Sequence, residues 1–278
     1  MHLKGRTSVI IGGGSGIGRG IALALAAEGM SVAVGDIDTE AAENVRDQIV
    51  DNGGTAIAVV VDATDRDSLS ELAGEVIARF GVVNLLSNNV GVAVFRGLEE
   101  ASEHDWAWAI EFNLLAMVRA VDVFVPHLRT QPNEAHIVNT ASTAALVVIT
   151  SPEYGWNAAQ PIGLYTTTKH AVLGYTETLR NELAPLGIGV SALCPGGVDS
   201  RLRATSARNR PARFGGPFDP IERSQHSVPV ISAEEVGVMV VRGVKANRAH
   251  ILTHPEWAAD VTARYQALMA DFEFFSDC

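Results

Sequence analysis

The amino-acid sequence predicts an α/β fold, a doubly wound and mostly parallel sheet of seven strands with helices on both faces. Short apolar runs rich in β-branched residues alternate with longer helical patterns along most of the chain. The 278 residues are 47% hydrophobic and 19% charged, which is enough to bury a large core. The sequence contains no linker-like stretch and no internal repeat. We therefore expect one domain over residues 1–278.

Four strand–helix units account for the first half of the chain. The helices stop where glycines interrupt the pattern, as at Gly29 and Gly53. The strands are predicted at 7–11, 31–36, 56–61 and 82–87. The first helix is predicted to end near 27, and the second to run from a cap at Thr39 to about 50. The third is predicted at 65–80 and the fourth at 103–128, capped by Ser102.

The second half continues this alternation. Strands are predicted at 135–141, 188–193 and 249–253. One helix is predicted to end near 186, a second to cover 233–245 after a cap at Ser232, and a third to begin near 256. The segment 199–230 differs, because it has little periodicity and several Arg and Pro residues. We expect it to form a substrate flap with one short helix.

Composition excludes several classes of protein. The formal net charge of −11 argues against general binding to nucleic acid or to a membrane surface. The two cysteines, Cys194 and Cys278, lack CxxC spacing, and the eight histidines show no HExxH pattern, so we expect neither disulfides nor a metal site. No apolar run reaches membrane-spanning length or resembles a signal peptide. A cytoplasmic protein is expected.

Glycines cluster where the first predicted strand meets its helix, in the order Gly12-x-x-x-Gly16-x-Gly18. The free N–H groups of a helix N-terminus favour a phosphate, and glycine allows the backbone to approach it closely. Ser15 and Ile17 lie in the same turn. The pattern predicts dinucleotide binding, whereas the alternative is that the cluster forms only a tight turn.

Asp36 ends the second predicted strand. A carboxylate at that position can accept hydrogen bonds from the ribose 2′-hydroxyl, and it repels a 2′-phosphate. Neither Ser15 nor Ile37 supplies a cation for such a phosphate. NAD is therefore favoured over NADP. The alternative is that Asp36 only caps the turn, with Asp38 an equally good candidate.

Tyr165 and Lys169 lie at i and i+4 on a predicted helix, so their side chains share one face. A phenol ordinarily titrates near a pH of about 10, and a neighbouring ammonium lowers its pKa. Such a pair can exchange a proton with an alcohol or a ketone. The spacing alone is weak, since a half-buried tyrosine beside a solvated lysine has it too.

In combination these motifs resemble the classical short-chain dehydrogenase/reductase family over nearly the whole chain. The matching positions are the glycines and Ile17 of the turn, the Asn-Asn-Val-Gly sequence at 88–91, Asp62, a catalytic tetrad of Asn113, Ser142, Tyr165 and Lys169, and Pro195 with Gly196. The resemblance implies a Rossmann fold and a nicotinamide-dependent enzyme that interconverts a secondary alcohol and a ketone.

The resemblance also implies a role for each residue of the tetrad. Tyr165 is expected to be the general acid/base, while Lys169 lowers its pKa and holds the nicotinamide ribose. Ser142 is expected to hydrogen-bond the substrate oxygen, and Asn113 to order a water in a proton relay. From position alone, Ser142 and Asn113 would be an ordinary turn serine and an ordinary helix asparagine.

Further cofactor contacts follow from the same resemblance. They are Gly12, Ser15, Gly16, Ile17 and Gly18 in the turn, Asp36 and Ile37 after the second strand, Asp62 and Ala63 at the adenine, Asn89 and Gly91 near the adenosine ribose, Tyr165 and Lys169, and Pro195, Gly196, Val198 and Ser200 on the nicotinamide side. A homotetramer or homodimer built on the helices of Asn113 and Tyr165 is also implied.

The chain departs from the family pattern at several positions. Ile11 replaces a threonine whose hydroxyl tethers the glycine turn, and Val90 and Ser200 replace Ala and Thr. The stretch between Ser142 and Tyr165 is longer than usual. Its extra residues are expected to overhang the substrate, where Tyr154 and Trp156 could stack on an aromatic ligand. The alternative is a surface or subunit-contact loop.

The expected flap is rich in arginine, in a strongly acidic protein. Its cations are Arg201, Arg203, Arg208, Arg210 and Arg213. They would bind an anionic substrate or cofactor phosphates, or else form a solvated face paired with acidic neighbours. Residues 209–214 and 253–268 resemble the Cα-dehydrogenase branch that oxidises benzylic alcohols of lignin β-aryl ethers. That resemblance implies a bulky, aromatic secondary alcohol as the substrate.

The sequence therefore predicts an NAD-dependent dehydrogenase of a small-molecule secondary alcohol. One alternative is an NADPH-linked carbonyl reductase. The other is a non-catalytic NAD-binding or sensor protein on the same fold, because fold alone does not determine function.

Overall fold

A computed structural model of the chain describes residues 1–94, 96–131, 134–148, 162–200, 202–219 and 229–276. Seven strands form one sheet in the order β3-β2-β1-β4-β5-β6-β7, and all six pairings are parallel. The strands are β1 Thr7–Ile11, β2 Ser31–Asp36, β3 Thr55–Val60, β4 Leu85–Asn88, β5 Ala135–Thr140, β6 Ile188–Cys194 and β7 His250–Leu252. The predicted fold class is confirmed.

Nine α-helices lie in the described part of the chain. They are α1 Gly16–Ala27, α2 Thr39–Asp51, α3 Arg66–Phe80, α4 Glu103–Ile110, α5 Ala116–Leu128, α6 Gly163–Leu183, α7 Leu202–Arg208, α8 Ala233–Lys245 and α9 Ala258–Ser276. The 3₁₀ turns are Thr143–Ala145, Ala184–Leu186, Ala212–Phe214 and Pro255–Trp257. No helix among these residues has both the length and the apolarity to cross a bilayer.

The sheet is buried on both faces, which explains its nearly continuous apolar strands. Alternate residues of β1 enter separate cores: Val9 packs with α3, α5 and α6, whereas Ile10 packs with α1, α2 and α8. From β1 the chain adds β2 and β3 on one side, and then crosses back to add β4 to β7 on the other side, so the strand order reverses between β1 and β4. In open α/β sheets, ligands bind outside the carboxyl ends of the strands at such a switch point.

Several predicted boundaries were wrong. Asp38, not Thr39, caps α2, because its Oδ1 accepts a hydrogen bond from the Ala41 N–H at 3.1 Å. The helix predicted over 103–128 is divided into α4 and α5 by a π-helical turn, Glu111–Leu115. The last α-helix begins at Ala258, after a 3₁₀ turn. Periodicity detects none of these features, since each depends on a local hydrogen bond.

Candidate active site

A cavity of about 960 Å³ opens at the carboxyl ends of the strands, at the switch point between β1 and β4. This volume lies near the upper end of the roughly 300–1,000 Å³ typical of ligand pockets. The cavity wall includes every predicted site residue in the described part of the chain except Asn113. Tyr154 and Trp156 lie outside the described residues.

The glycine turn leads from β1 into α1 along the cavity wall. Gly12 and Gly16 have positive φ, 75° and 49°, which L-residues with side chains rarely adopt. A Cβ on Gly18 would lie 2.0 Å from the Gly12 carbonyl oxygen, so only glycine fits there. The first turn of α1 has no acidic residue, and Ser15 makes no capping hydrogen bond within the described structure. This helix N-terminus therefore has the features that favour an anion.

Asp36 lies at the end of β2, half-buried in the cavity wall. Its Oδ2 accepts a hydrogen bond from the Gly14 N–H at 2.8 Å, and its Oδ1 accepts one from the Asp38 N–H at 3.1 Å. A carboxylate has about four acceptor sites, so Asp36 retains capacity for further donors. Asp38, in contrast, uses its carboxylate to cap α2. The two candidates thus have different environments.

The turn after β3 is held by Asp62. Its Oδ1 accepts hydrogen bonds from the Thr64 N–H at 2.8 Å and from the Thr64 hydroxyl at 2.7 Å. Both Asp62 and the buried Ala63 line the cavity next to Asp36. This end of the cavity therefore combines carboxylates with a small apolar surface.

The turn after β4 is tethered to β1 despite the replacement at Ile11. The Asn89 N–H and the Asn89 Nδ2 both donate to the Ile11 carbonyl, at 2.9 and 3.3 Å. The Thr140 hydroxyl donates to Asn89 Oδ1 at 2.8 Å. The backbone of residue 11 thus provides the connection for which a threonine hydroxyl was expected.

Asn113 lies in the π-helical turn, is 2% exposed, and is located behind Gly91 rather than on the cavity wall. Its Oδ1 accepts from the Val92 N–H at 2.7 Å, and its Nδ2 donates to the Val92 carbonyl at 3.1 Å. Nδ2 also donates to the hydroxyl of Thr168 on α6 at 3.0 Å. A single π turn often marks a functional position. Here it directs the Asn113 side chain toward the loop after β4, at Val92, and toward α6, at Thr168.

Lys169 lines the cavity from α6 and is buried, with 4% exposure. Its Nζ donates to the Thr140 carbonyl at 2.9 Å and lies 5.6 Å from the centroid of the Tyr165 ring. Burial lowers the pKa of Lys169 to about 8, only partly offset by the nearby Cys194. A Cβ on Gly91 would lie 3.1 Å from Asn113 Oδ1, a tight contact, and 3.5 Å from Lys169 Nζ, an ordinary one.

Ser142 and Tyr165 meet at the opposite end of the cavity from Asp36. Ser142 begins the 3₁₀ turn after β5, where its Oγ accepts from the Ala144 N–H at 3.1 Å. Burial raises the pKa of Tyr165, and a hydrogen bond with Ser142 only partly counteracts this effect. The net direction is opposite to the lowering expected from Lys169. A phenolate loses its hydration on burial, and this loss is the largest cause of the raised pKa.

Aromatic residues that sequence reasoning missed form a wall beside Tyr165. Trp108 of α4 and Phe112 of the π turn both line the cavity. Their rings are T-shaped at 6.4 Å, and Phe112 packs against Phe214 of the flap at 6.3 Å. Apolar residues on a helix are normally core residues, so no sequence signal distinguished these. The wall exists because the flap folds back onto α4.

His254 is a second residue that sequence reasoning missed. Its Nδ1 accepts from the Gly196 N–H at 3.1 Å, and its Nε2 lies 3.2 Å from the Pro229 carbonyl. A Cβ on Gly196 would lie 2.7 Å from the ring, which explains the glycine. His254 therefore positions the Pro195–Gly196 turn. Within the described residues, no group of three or more His, Cys, Asp or Glu could hold a metal ion.

The arginines of the flap occupy two environments. Arg210 is buried, and its Nη1 lies 2.7 Å from Asp105 Oδ1. Its guanidinium also lies over the rings of Trp108 and Phe218, at 5.0 and 5.7 Å. The arginines that line the cavity are Arg203, Arg208 and Arg213. Arg201 lies outside the described residues.

Comparison with known proteins gives a consistent family. The family model described as "short chain dehydrogenase" matches residues 6–211. A Lactiplantibacillus plantarum protein named "CLA biosynthesis dehydrogenase/reductase" is 30% identical over 281 residues, covering 96% of this chain and 94% of its own. The "C alpha-dehydrogenase" of Sphingobium sp. SYK-6 is 30% identical over 271 residues, covering 95% of this chain and 85% of its own. The resemblance to that branch is thereby confirmed.

A solved structure leads to the same family. It is a short-chain dehydrogenase/reductase from Burkholderia phymatum in complex with NAD, 32% identical, with a TM-score of 0.85 over 98% of this chain and 96% of that one. The chain is therefore an oxidoreductase of the short-chain dehydrogenase/reductase family that acts on alcohols or ketones with a nicotinamide cofactor.

Proposed function

We propose that this protein is an NAD-dependent dehydrogenase of secondary alcohols in which Tyr165 is the general acid/base. One observation carries the proposal: a single cavity is lined by Asp36, at the end of β2, and by Ser142, Tyr165 and Lys169, at β5 and α6, with β5 three strand positions from β2. The anion-binding turn of α1 lies on the same wall. This arrangement matches a ligand with a ribose at one end, a pyrophosphate in the middle and a reactive ring beside the tyrosine.

The residues present fit such a cofactor. The amides of Gly16, Ile17 and Gly18 would hold the pyrophosphate, because they lie at the N-terminus of α1 on the cavity wall. Asp36 would accept the ribose hydroxyls, as proposed for NAD, and would repel the 2′-phosphate of NADP. The remaining proposed contacts are Gly12, Ser15, Ile37, Asp62, Ala63, Asn89, Gly91, Pro195, Gly196, Val198 and Ser200, all on the cavity wall.

The protein's own residues would manage the proton. Nicotinamide, when bound, supplies the hydride acceptor or donor. In oxidation, Tyr165 takes the proton of the substrate hydroxyl while the Ser142 hydroxyl hydrogen-bonds the same oxygen. The Lys169 ammonium stabilises the phenolate and is itself held by the Thr140 carbonyl. The steps are reversible, so the same groups serve ketone reduction.

Asn113 would act mainly through position. Both N–H groups of its Nδ2 are already used, by the Val92 carbonyl and the Thr168 hydroxyl. Its Oδ1 keeps one acceptor site after the Val92 N–H. A relay water, as implied by family resemblance, would use that site. The side chain also sets the backbone of Gly91 and Val92 beside Lys169.

The aromatic wall supports a bulky substrate. The half-buried Phe112 lines the same cavity as Tyr165, with the buried Trp108 packed against it, and an aromatic alcohol would pack on the Phe112 ring. The similarity to the Sphingobium Cα-dehydrogenase favours the same chemical class. We therefore propose a benzylic or similarly bulky secondary alcohol as the substrate.

The test is Tyr165→Phe, assayed by NAD⁺ reduction with 1-phenylethanol and, in parallel, by NAD⁺ binding calorimetry. Loss of a general acid/base should lower kcat by about 100-fold or more, while NAD⁺ binding persists. Tyr175→Phe is the matched control, because Tyr175 lies on the same helix and packs in the core. Equal activity in parent and Tyr165→Phe would refute the mechanism.

The two alternative functions give different results in the same assay. Reduction of acetophenone with NADPH, without turnover with NAD⁺ or NADH, would support the carbonyl reductase. Tight NAD⁺ binding without turnover of any secondary alcohol in a chemically diverse panel would support the non-catalytic NAD-binding protein. The panel should include benzylic β-aryl ethers, aliphatic alcohols and sugar alcohols.

A further inference from the structure

Charge is unevenly distributed along the cavity. The acidic residues of its wall, Asp36, Asp38 and Asp62, lie at or just beyond the carboxyl ends of β2 and β3. The arginines of the wall belong to the flap, which follows β6. Four strand spacings separate β2 from β6, which corresponds to about 19 Å. Cations and carboxylates are therefore segregated within one cavity.

One arginine of the flap is structural. Arg210 is 8% exposed and paired with Asp105, so it is unavailable to a ligand. Arg208 and Arg213, on either side of it, are exposed and line the cavity. Within the described residues, no carboxylate forms a salt bridge with Arg208 or Arg213. The buried arginine thus anchors the segment that presents the other two.

The two exposed guanidiniums retain donors. Arg208 uses its Nε–H in a hydrogen bond to Asn209 Oδ1 at 3.1 Å, a contact that leaves its terminal nitrogens available within the described structure. The guanidinium of Arg213 lies 5.0 Å from the centroid of the Phe214 ring. Stacking on a ring leaves the N–H edge of a guanidinium directed outward. Both side chains can therefore donate to an anion.

An apolar surface accompanies these cations. Phe214, beside Arg213, packs against Phe112, which lines the cavity together with Tyr165. The wall therefore presents a reactive hydroxyl, an aromatic surface and guanidinium groups. A ligand that complements all three has a secondary alcohol, an apolar body and an anionic end.

We propose that Arg208 and Arg213 select a secondary alcohol that carries a carboxylate on its apolar body. This inference rests on the proposed function, because it names the substrate class of the same site. A guanidinium presents paired N–H groups that match a carboxylate, which makes Arg the typical residue for this recognition. The competing assignment is that these arginines bind the phosphates of the cofactor.

The test compares 4-(1-hydroxyethyl)benzoate with its neutral methyl ester as substrates with NAD⁺. The parent should favour the acid in kcat/KM by about tenfold or more, the typical scale of a charge-assisted contact. Arg208→Gln combined with Arg213→Gln should remove most of that preference through KM for the acid. Arg66→Gln, at a surface ion pair away from the cavity wall, is the control and should keep the preference.

A second measurement is independent of turnover. Calorimetry in the presence of NAD⁺ compares 4-acetylbenzoate with its methyl ester, because a ketone cannot react with the oxidised cofactor, and NAD⁺ affinity is measured in each variant. Acid-selective binding that the double variant loses supports the inference even if neither alcohol is oxidised, a result that would count only against the proposed function. Equal binding of acid and ester to the parent would refute the inference. A weakened NAD⁺ affinity with the acid preference intact would refute it too, and would assign the arginines to the cofactor.

Discussion

Arg210 and Asp105 form a buried ion pair, with 2.7 Å between Nη1 and Oδ1 and less than a tenth of either side chain exposed. Burial alone would raise the pKa of Asp105, but hydrogen bonds from Ser102 and Arg210 outweigh it and lower the pKa. The pair joins the flap to the first turn of α4, and α4 leads directly into the π turn of Asn113. The pair thus links the flap to the helix that precedes Asn113.

Removing one partner of this pair should be costly. Arg210→Met leaves the buried Asp105 carboxylate with the half-exposed Arg96, at 3.3 Å, as its remaining cation. Breaking a buried pair typically costs about 3–5 kcal/mol, and we expect a loss near the lower end of that range. Arg66→Met removes a surface pair with Asp122, both side chains more than half exposed, and should cost about 1 kcal/mol or less. Urea unfolding of the two variants measures the difference. Similar losses in both would show that Arg210 does not anchor the flap.

The Asn113–Thr168 hydrogen bond should matter for both stability and rate. Thr168→Val removes the acceptor of Asn113 Nδ2, and an unsatisfied buried donor typically costs about 1–3 kcal/mol. We expect kcat to fall as well, with NAD⁺ affinity preserved, because Asn113 sets the backbone beside Lys169. Thr167→Val is the control, since Thr167 is exposed on the same helix. Steady-state kinetics and urea unfolding that do not distinguish the two variants would exclude this role.

Substitution should show that Asp36 selects the cofactor and that Asp38 only caps a helix. Asp36→Ala should reduce the preference for NAD⁺ over NADP⁺, because it removes the acceptor for the ribose and the repulsion of a phosphate. Asp38→Ala should keep the preference and lose about 0.5–2 kcal/mol of stability, the typical cost of removing a cap. The ratio of the kcat/KM values for NAD⁺ and NADP⁺, measured in each variant, shows which aspartate sets the preference. An unchanged ratio in Asp36→Ala would mean that another residue selects the cofactor.

Stability should fall in weak acid because of His136. Burial is the main cause that lowers its pKa to about 3, and its Nε2 lies 2.7 Å from Ser191 Oγ, which donates to the Arg248 carbonyl. The folded state keeps this histidine neutral below the unfolded pKa of about 6.5, so the unfolded state binds the extra proton. The free energy of unfolding should therefore decrease as the pH falls from 6.5 toward 3, by up to about 1.4 kcal/mol per pH unit.

Urea unfolding at several pH values between about 5 and 6.5 checks this dependence, because ordinary carboxylates titrate mostly below that range. His136→Gln should flatten the slope, whereas His104→Gln, at an exposed position, should keep it. A parent protein whose stability is constant over this interval would contradict the burial of a neutral His136.

Much of the sheet and of the candidate site could be predicted from sequence because both rest on local patterns. Apolar runs of about five residues, glycines at helix ends and the spacing of Tyr165 and Lys169 are visible without tertiary information. The parallel order then brings the strand ends together, and with them the glycine turn, Asp36 and Ser142. The π turn, the cap of α2 and the aromatic wall were missed, since each depends on contacts that leave no periodic signal.

The sequence by itself determined the fold class, the family and most of the motif residues that meet at the cavity, because strand–helix alternation and motif order specify them. Only the tertiary structure decided what those residues do electrostatically. It distinguishes Asp38, which caps α2, from Asp36, which accepts a hydrogen bond from the glycine turn. It also separates the buried Arg210 from the exposed Arg208 and Arg213, and burial raises the pKa of Tyr165 where a neighbouring cation alone would lower it. The reason is that desolvation and ion pairing depend on segments distant in sequence, such as the flap and α4, that pack together only in the folded chain.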